Sequence, residues 1–409
     1  MVTWRRTLYA LWLAQLLSII GFNLRIPFLP FFLEDLGTET FEQQALWAGF
    51  ITGGGAALMA ITAPMWGALA DRYGRRMMVL RAMFVASVTI SLMALATSPW
   101  HLLGLRFIEG AATGTVAAAT TLIATVVPKE RMGYAMGMMQ MAVFSGSSIG
   151  PFIGGVLADI IGFRPTFVVS GGMLFLGGVI VLLFVTENFQ RPEPKTQEQK
   201  DSEVSTWSII IGASMLAMML VLLVARTGQS AAQPLVPLFM DLLGAEGRAS
   251  SLSGLALGLM GVTSAISSVL LGRLADRIGP RSILILAVSL AGVLYFPQAA
   301  AQSPTQFIIA TGLFGVALGG IMPTASAIVA SLAPMERRGI IYGFTNSAMS
   351  VGAFIGPIGG TVIAAFIDMR IAFAFLGVSM LLTAIYIWYA LPKSLDRGRG
   401  TPVSGDDET

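Results

Sequence analysis

Long apolar runs alternate with short charged turns along nearly the whole chain. A hydrocarbon core about 30 Å thick takes roughly 20 apolar residues per helix. By that measure the pattern predicts twelve helical spans. The first six cover 7–33, 45–69, 77–97, 100–126, 133–158 and 165–186. The second six cover 207–240, 250–272, 281–301, 304–331, 339–365 and 371–392. Between the two sets, Glu187 to Thr206 contains RPEPKTQEQKDSE, the one long hydrophilic segment inside the chain, and reads as a linker. The residues after Pro392 are polar and read as a disordered tail. The expected organisation is therefore a six-helix bundle over 1–186, a linker over 187–206, a second bundle over 207–392 and a tail over 393–409. The first apolar run lacks a small-residue cleavage site and reads as a retained span.

Charge in the turns orients these spans. On one side fall Arg5, Arg6, Arg72, Arg75, Arg76, Arg81, Lys129, Arg131, Arg191, Lys195 and Lys200. Arg273, Arg277, Arg281, Arg337, Arg338, Lys393, Arg397 and Arg399 join them. Only Arg164, Arg248 and Arg370 fall on the other. Basic loops stay in the cytoplasm, so both termini and the linker are expected there.

The two halves repeat each other. GALADRYGRR (Gly67 to Arg76) matches GRLADRIGPR (Gly272 to Arg281), pairing Asp71 with Asp276, Arg72 with Arg277 and Gly74 with Gly279. PFLPFFLEDLG from Pro27 resembles PLVPLFMDLLG from Pro234, and PKERMGYAMG from Pro128 resembles PMERRGIIYG from Pro334. Gly150-Pro151 matches Gly356-Pro357, and Arg164 matches Arg370. Matches at nearly one spacing imply a duplicated six-span unit, an arrangement common in membrane transporters.

Composition agrees. Hydrophobic residues make up 55% of the 409 and charged residues only 11%, against roughly 25% charged in soluble domains. The net charge of +3 comes from loop arginines and does not imply nucleic acid. There is no cysteine, which excludes disulfides and thiolate metal sites. No phosphate-binding loop, metal cluster or Ser–His–acid set appears, so neither an enzyme nor an ATP-driven pump is expected. No metal or organic cofactor is expected either.

The loop GALADRYGRR, between the second and third spans, resembles the signature of the major facilitator superfamily. GSSIGPFIGG (Gly146 to Gly155) is similar to the fifth-span motif of its twelve-span drug–proton antiporters. Arg106 and Gly110, and the pair Pro27 and Pro30, resemble that group's fourth- and first-span motifs. The resemblance implies an all-α membrane protein with the major facilitator fold, twelve helices in two pseudo-symmetric six-helix bundles. It implies a monomer in a bacterial inner membrane that exports small amphipathic compounds, drugs included, in exchange for protons. The proton gradient would then be its energy source, and membrane lipid its surroundings. Export of a single sugar or metabolite is the alternative within transport; a non-transporting receptor on the same fold is the alternative outside it. Where the fourth-span motif usually has glutamine before its glycine, this chain has Glu109.

Particular residues carry these expectations. Charge inside a span is costly and marks function by default. Arg25, Arg106 and Arg226 lie within spans, with Glu109 as the one carboxylate well inside. Arg106 and Glu109 are three residues apart, on one helix face, and are the candidate proton-coupling pair. A static ion pair is the plainer reading. Arg25 lies near the outer end of its span and is expected to snorkel or to pair with Asp35. The resemblance turns the first spans of the halves to a central cavity. Arg226, Arg25, Asn23, Phe28, Gln229 and Gln233 are therefore candidate cavity residues. Gly67, Asp71, Arg72, Gly74, Arg75, Asp276 and Arg277 form candidate gate loops that would latch one conformation; simple topological anchoring is the alternative. Gly146, Gly150 and Gly154 share a helix face that permits close backbone approach. With the kinking Pro151 and with Gly155, they form a candidate pivot between the halves.

Overall fold

The computed structural model describes residues 4–128, 131–187, 213–245, 247–332 and 338–392. Most of the expected linker and all of the tail over 393–409 lie outside these residues. Those described are helices and short turns. Twelve segments are long and apolar enough to cross a membrane. In chain order the helices of the first half are α1 (Trp4–Leu24), α2 (Leu29–Asp35), α3 (Phe41–Tyr73), α4 (Arg75–Met93), α5 (Pro99–Ala112), α6 (Thr115–Val126), α7 (Met132–Ile161) and α8 (Phe163–Phe184). Those of the second are α9 (Ala213–Leu242), α10 (Ala249–Ile278), α11 (Pro280–Ala300), α12 (Pro304–Leu332), α13 (Arg338–Phe366) and α14 (Met369–Ala390).

Two expected spans are not continuous. The first breaks at 25–28 into α1 and α2, because Pro27 supplies no backbone N–H and pushes the residue before it out of helical geometry. The Ile26 N–H turns back to the Asn23 carbonyl at 3.2 Å. The fourth breaks between α5 and α6 at Thr113–Gly114, where Gly114 takes φ +135°. The carbonyl freed at Ala111 is taken up from α3, by Thr62 Oγ1 at 2.9 Å and Trp66 Nε1 at 2.6 Å. A buried carbonyl without such donors would be costly.

Each half packs on itself. α1 lies against α7 and α8, α4 against α8, and α3 against α5. In the second half α9 lies against α13, α10 against α12, and α11 against α12 and α14. Matching residues do matching work. Gly74 and Gly279 end α3 and α10 at φ +93° and +102°, a region glycine enters without a Cβ clash. Arg164 donates to the Ala94 carbonyl at 2.6 Å, and Arg370 to Ala299 at 2.7 Å. Arg76 donates to the Leu182 carbonyl, and Arg281 to Trp388, each at 2.7 Å. These last two close the C-terminal ends of α8 and α14, where carbonyls lack helical donors.

The bundles meet along two seams, α3 on α13 and α7 on α10. Both seams are tight at the arginine-poor end. There Gly53 faces the Phe354 carbonyl, Gly155 faces Ser250 and Gly254 faces Pro151, each too closely for a Cβ. At the arginine-rich end the same helices part. A Cβ added at Gly67, Gly133, Gly137, Gly272 or Gly343 would meet no atom within 4 Å among the described residues. Ile61, Met65, Ile266 and Val269 are exposed there.

Candidate functional site

The charged residues expected inside the spans converge, though not as the pattern suggested. The break in the first crossing turns Arg25 inward instead of toward the membrane surface. Arg25 is 6% exposed and pairs with Glu109, not with Asp35. Its Nη1 and Nη2 donate to the two Glu109 carboxylate oxygens at 2.8 and 2.9 Å, a bidentate fork. Arg106, one turn back on α5, donates from Nη1 to Glu109 Oε1 at 2.6 Å. One carboxylate, 1% exposed, thus joins two guanidiniums from two crossings. The expected Arg106–Glu109 pair is present, and Arg25 completes it. Sequence spacing could pair residues on one helix, but nothing local to Arg25 signalled a partner 84 positions away.

Glycine sets this approach. Gly110, next to Glu109, lies against the backbone of Gly55 on α3, and Gly55 itself lies against the Arg106 guanidinium. A side chain at either position would push α5 from α3. The two helix breaks lie beside the same cluster, since Arg25 is in the first break and the Glu109 carbonyl accepts from Thr113 N at 2.9 Å in the second. Interrupted helices at mid-membrane are a common way of building transporter sites.

The glycines of the fifth span divide between two partners. Gly146, Gly150 and Gly154 lie against Ile19, Asn23 and Leu24 of α1, within their own bundle. Of the candidate pivot, these three glycines therefore pack inside the first bundle. The opposite face meets the other half: Gly155 lies against Ser250, and Pro151 against Gly254 of α10. Asp159 adds a hydrogen bond, accepting from Ser251 N at 3.0 Å. So α7 stands between the helix that delivers Arg25 and the seam with the second bundle.

Not every expected cavity residue is placed for that role. Phe28 is fully buried and stacks on Phe163 at 5.6 Å and edge-on to Phe167 at 5.1 Å. Burial of its ring in the first bundle's core removes it from any cavity. Asn23 is half-buried, and its Nδ2 donates to the Ile19 carbonyl at 2.7 Å. In the second bundle Arg226 Nη1 donates to Gln229 Oε1 at 2.7 Å, and Arg226, Gln229 and Gln233 are all half-buried. The expected gate loops are mostly helix ends: Gly67 and Arg72 lie in the last turns of α3, and Asp276 and Arg277 in the last turn of α10, all four exposed, with only Gly74 and Gly279 forming the buried turns. The Asp71 side chain lies outside the described residues. Arg75 and Arg76 donate their backbone N–H groups to the Glu187 carboxylate at 3.0 and 2.8 Å. That contact caps α4, and the sequence pattern carries no sign of it. Among the described residues no group of His, Cys, Asp and Glu is arranged to hold a metal.

A family model described as Major Facilitator Superfamily matches residues 11–263 and 218–405. The chain belongs to the major facilitator superfamily. Similar proteins within this superfamily include multidrug resistance protein MdtG of Serratia proteamaculans, 32% identical over 98% of this chain and 97% of its own length. MdtG of Escherichia fergusonii is 33% identical over 99% and 98%. The same fold is seen in a bacterial homolog of the human lysosomal transporter Spinster, in an inward-facing and occupied conformation. It has a TM-score of 0.74 and 17% identity over 94% of each chain. A D-xylose–proton symporter has a TM-score of 0.75 at 15% identity, covering 96% of this chain and all of its own. The protein is a multi-pass membrane protein of this superfamily, with the all-α fold in two six-helix bundles.

Proposed function

We propose that this protein is a secondary transporter that exports small amphipathic compounds, drugs among them, by proton antiport. The observation that carries the reading is the Arg25–Glu109–Arg106 cluster, buried beside two helix breaks. Full-length similarity to proteins named for multidrug resistance supports the choice of substrates. The proton gradient supplies the energy, and no cofactor takes part. The chain works as a monomer in a bacterial inner membrane. Both termini, the linker over 187–206 and both LADR loops face the cytoplasm, because basic loops remain there. In that orientation the bundles are closed on the outer side and open to the cytoplasm.

The geometry suggests how proton and substrate are coupled. A buried carboxylate stays charged only while cations pair with it, and takes a proton when they withdraw. As the bundles rock, bending at the break over 25–28 would shift Arg25 relative to α5. Because Gly146, Gly150 and Gly154 of α7 ride on α1, this shift reaches the outer seam between α7 and α10. Protonation of Glu109 and closure of the outer seam are then two readings of one movement. The ends of α3 and α10 around Gly67 and Gly272, with the turns that follow them, would close on the facing bundle in the opposite state, as a latch.

Proteoliposomes test this reading. Substrate added to the wild-type protein should release protons, and Glu109→Gln should abolish proton-driven export while sparing substrate counterflow. Full proton-driven export by Glu109→Gln overturns the assignment of the proton to Glu109. Unchanged drug susceptibility on removing the protein, together with loss of export of one metabolite, would overturn drug export.

A further inference from the structure

Of Arg25, Arg106 and Arg226, only the arginine of the second bundle has no carboxylate partner among the described residues. Arg25 and Arg106 share Glu109. Arg226, midway along α9, meets no carboxylate among the described residues; its guanidinium donates to the neutral Gln229. An arginine at mid-membrane depth is costly unless paired or bathed in water. Its direction is settled by its neighbours. Gly228, two residues on and about 200° round the helix, backs onto Tyr295 and Met380 of α11 and α14. Arg226, Gln229 and Gln233 therefore share the side of α9 turned away from those helices. That same helix touches α2 and α3 of the first bundle. Gly352 of α13 lies close against the base of the Arg226 side chain.

The hydrogen-bond polarity of this strip is one-sided. Gln229 spends its Oε1 as acceptor for Arg226, so its amide N–H groups remain to donate. The guanidinium contributes further N–H donors and no acceptor. A strip rich in donors, carrying positive charge, suits an oxyanion and repels an ammonium. We infer that Arg226, with the Gln229 and Gln233 amides, binds the anionic group of exported compounds, a carboxylate or a comparable oxyanion. This rests on the export reading and names its substrate class: amphipathic anions.

One carbon skeleton carried as an arylalkyl carboxylate, as its neutral amide and as its amine tests the assignment on purified full-length protein. The carboxylate should bind wild type most tightly and the amine most weakly. Arg226→Met should weaken carboxylate binding about 10- to 100-fold, the worth of a charged hydrogen-bond pair. Arg226→Lys should recover part of it, since lysine keeps the charge but not the fork. Gln229→Glu supplies the missing carboxylate, neutralises Arg226 and should abolish the preference for the carboxylate probe while sparing binding of the amide, which an indirect effect on folding would not do. Equal binding of the three probes, or carboxylate affinity indifferent to Arg226→Met and Gln229→Glu, overturns the inference. Export of the neutral amide by wild type under a proton gradient separates the two readings. If it proceeds while Arg226 proves irrelevant, export stands and the anion site falls. If no probe is exported yet the carboxylate binds through Arg226, the site stands and export falls.

Discussion

The two bundles carry the same frame around different interiors. Gly110 lies against the Gly55 backbone in the first bundle, and Gly315 lies against Met260 in the second. That correspondence fixes the register of the fourth and tenth crossings. In it Arg106 aligns with Thr311, and Glu109 with the buried Phe314. In the first crossing Pro27 aligns with Pro234, which sets Arg25 against Ala232. The charged cluster of the first bundle is thus an uncharged, buried set in the second, Ala232, Thr311 and Phe314. Its backbone differs as well. Both bundles have the proline pair in their first crossing, yet α1 and α2 break at 25–28 while α9 runs unbroken through Pro234 and Pro237. Proline weakens a helix in either place; the break occurs where a buried arginine must reach a carboxylate on another helix. Duplication therefore preserved what holds the helices together and released what acts between them.

The largest test of this contrast removes the cluster's carboxylate. Glu109→Leu leaves the buried Arg25 and half-buried Arg106 guanidiniums without a carboxylate and should cost about 3–5 kcal/mol, read as a lowered melting temperature in detergent. The triple change Arg25→Ala, Arg106→Thr and Glu109→Phe copies the second bundle and should recover most of that loss while remaining unable to export. A triple variant as unstable as the single one would mean that charge balance does not distinguish the bundles.

Next come the paired arginines of the frame. Arg164→Ala and Arg370→Ala each remove a charged donor from a helix-end carbonyl, and each should cost about 1.5–3 kcal/mol. The two losses should agree, and a large difference between them would break the proposed equivalence. Then come the glycines. Gly110→Val and Gly315→Val force a side chain onto the backbone of α3 or α10 and should each cost about 1–3 kcal/mol. Gly67→Ala and Gly272→Ala meet open space and should stay within about 0.5 kcal/mol, measured in the same thermal assay. Between these two classes of glycine change falls Glu187→Ala. It removes the carboxylate over the first turn of α4 and should cost about 0.5–2 kcal/mol. Faster amide exchange at Arg75 and Arg76 would report it locally.

Much of the fold is legible in the chain itself. Apolar run length locates all twelve crossings, and the matched loops locate the duplication. The Arg106–Glu109 pair is legible because three residues along a helix is a local distance. Arg25 is misjudged for the same reason: position along its own span suggests the surface, and only a break and a neighbouring helix turn it inward. Phe28 looks like a cavity residue by its place in the first crossing, but the rings of Phe163 and Phe167 on α8 enclose it. The glycines at Gly146, Gly150 and Gly154 announce a close contact without saying with which helix.

By itself the sequence determined the number of crossings, the equivalence of the halves and the inventory of interior charge. These depend on hydropathy, helical period and repetition, which act along the chain. Tertiary structure decided which charges share Glu109, where two helices interrupt, and at which end the bundles touch. Those depend on which helix lies beside which, and in a membrane small side chains and single polar contacts decide that, with no long-range pattern to record the outcome.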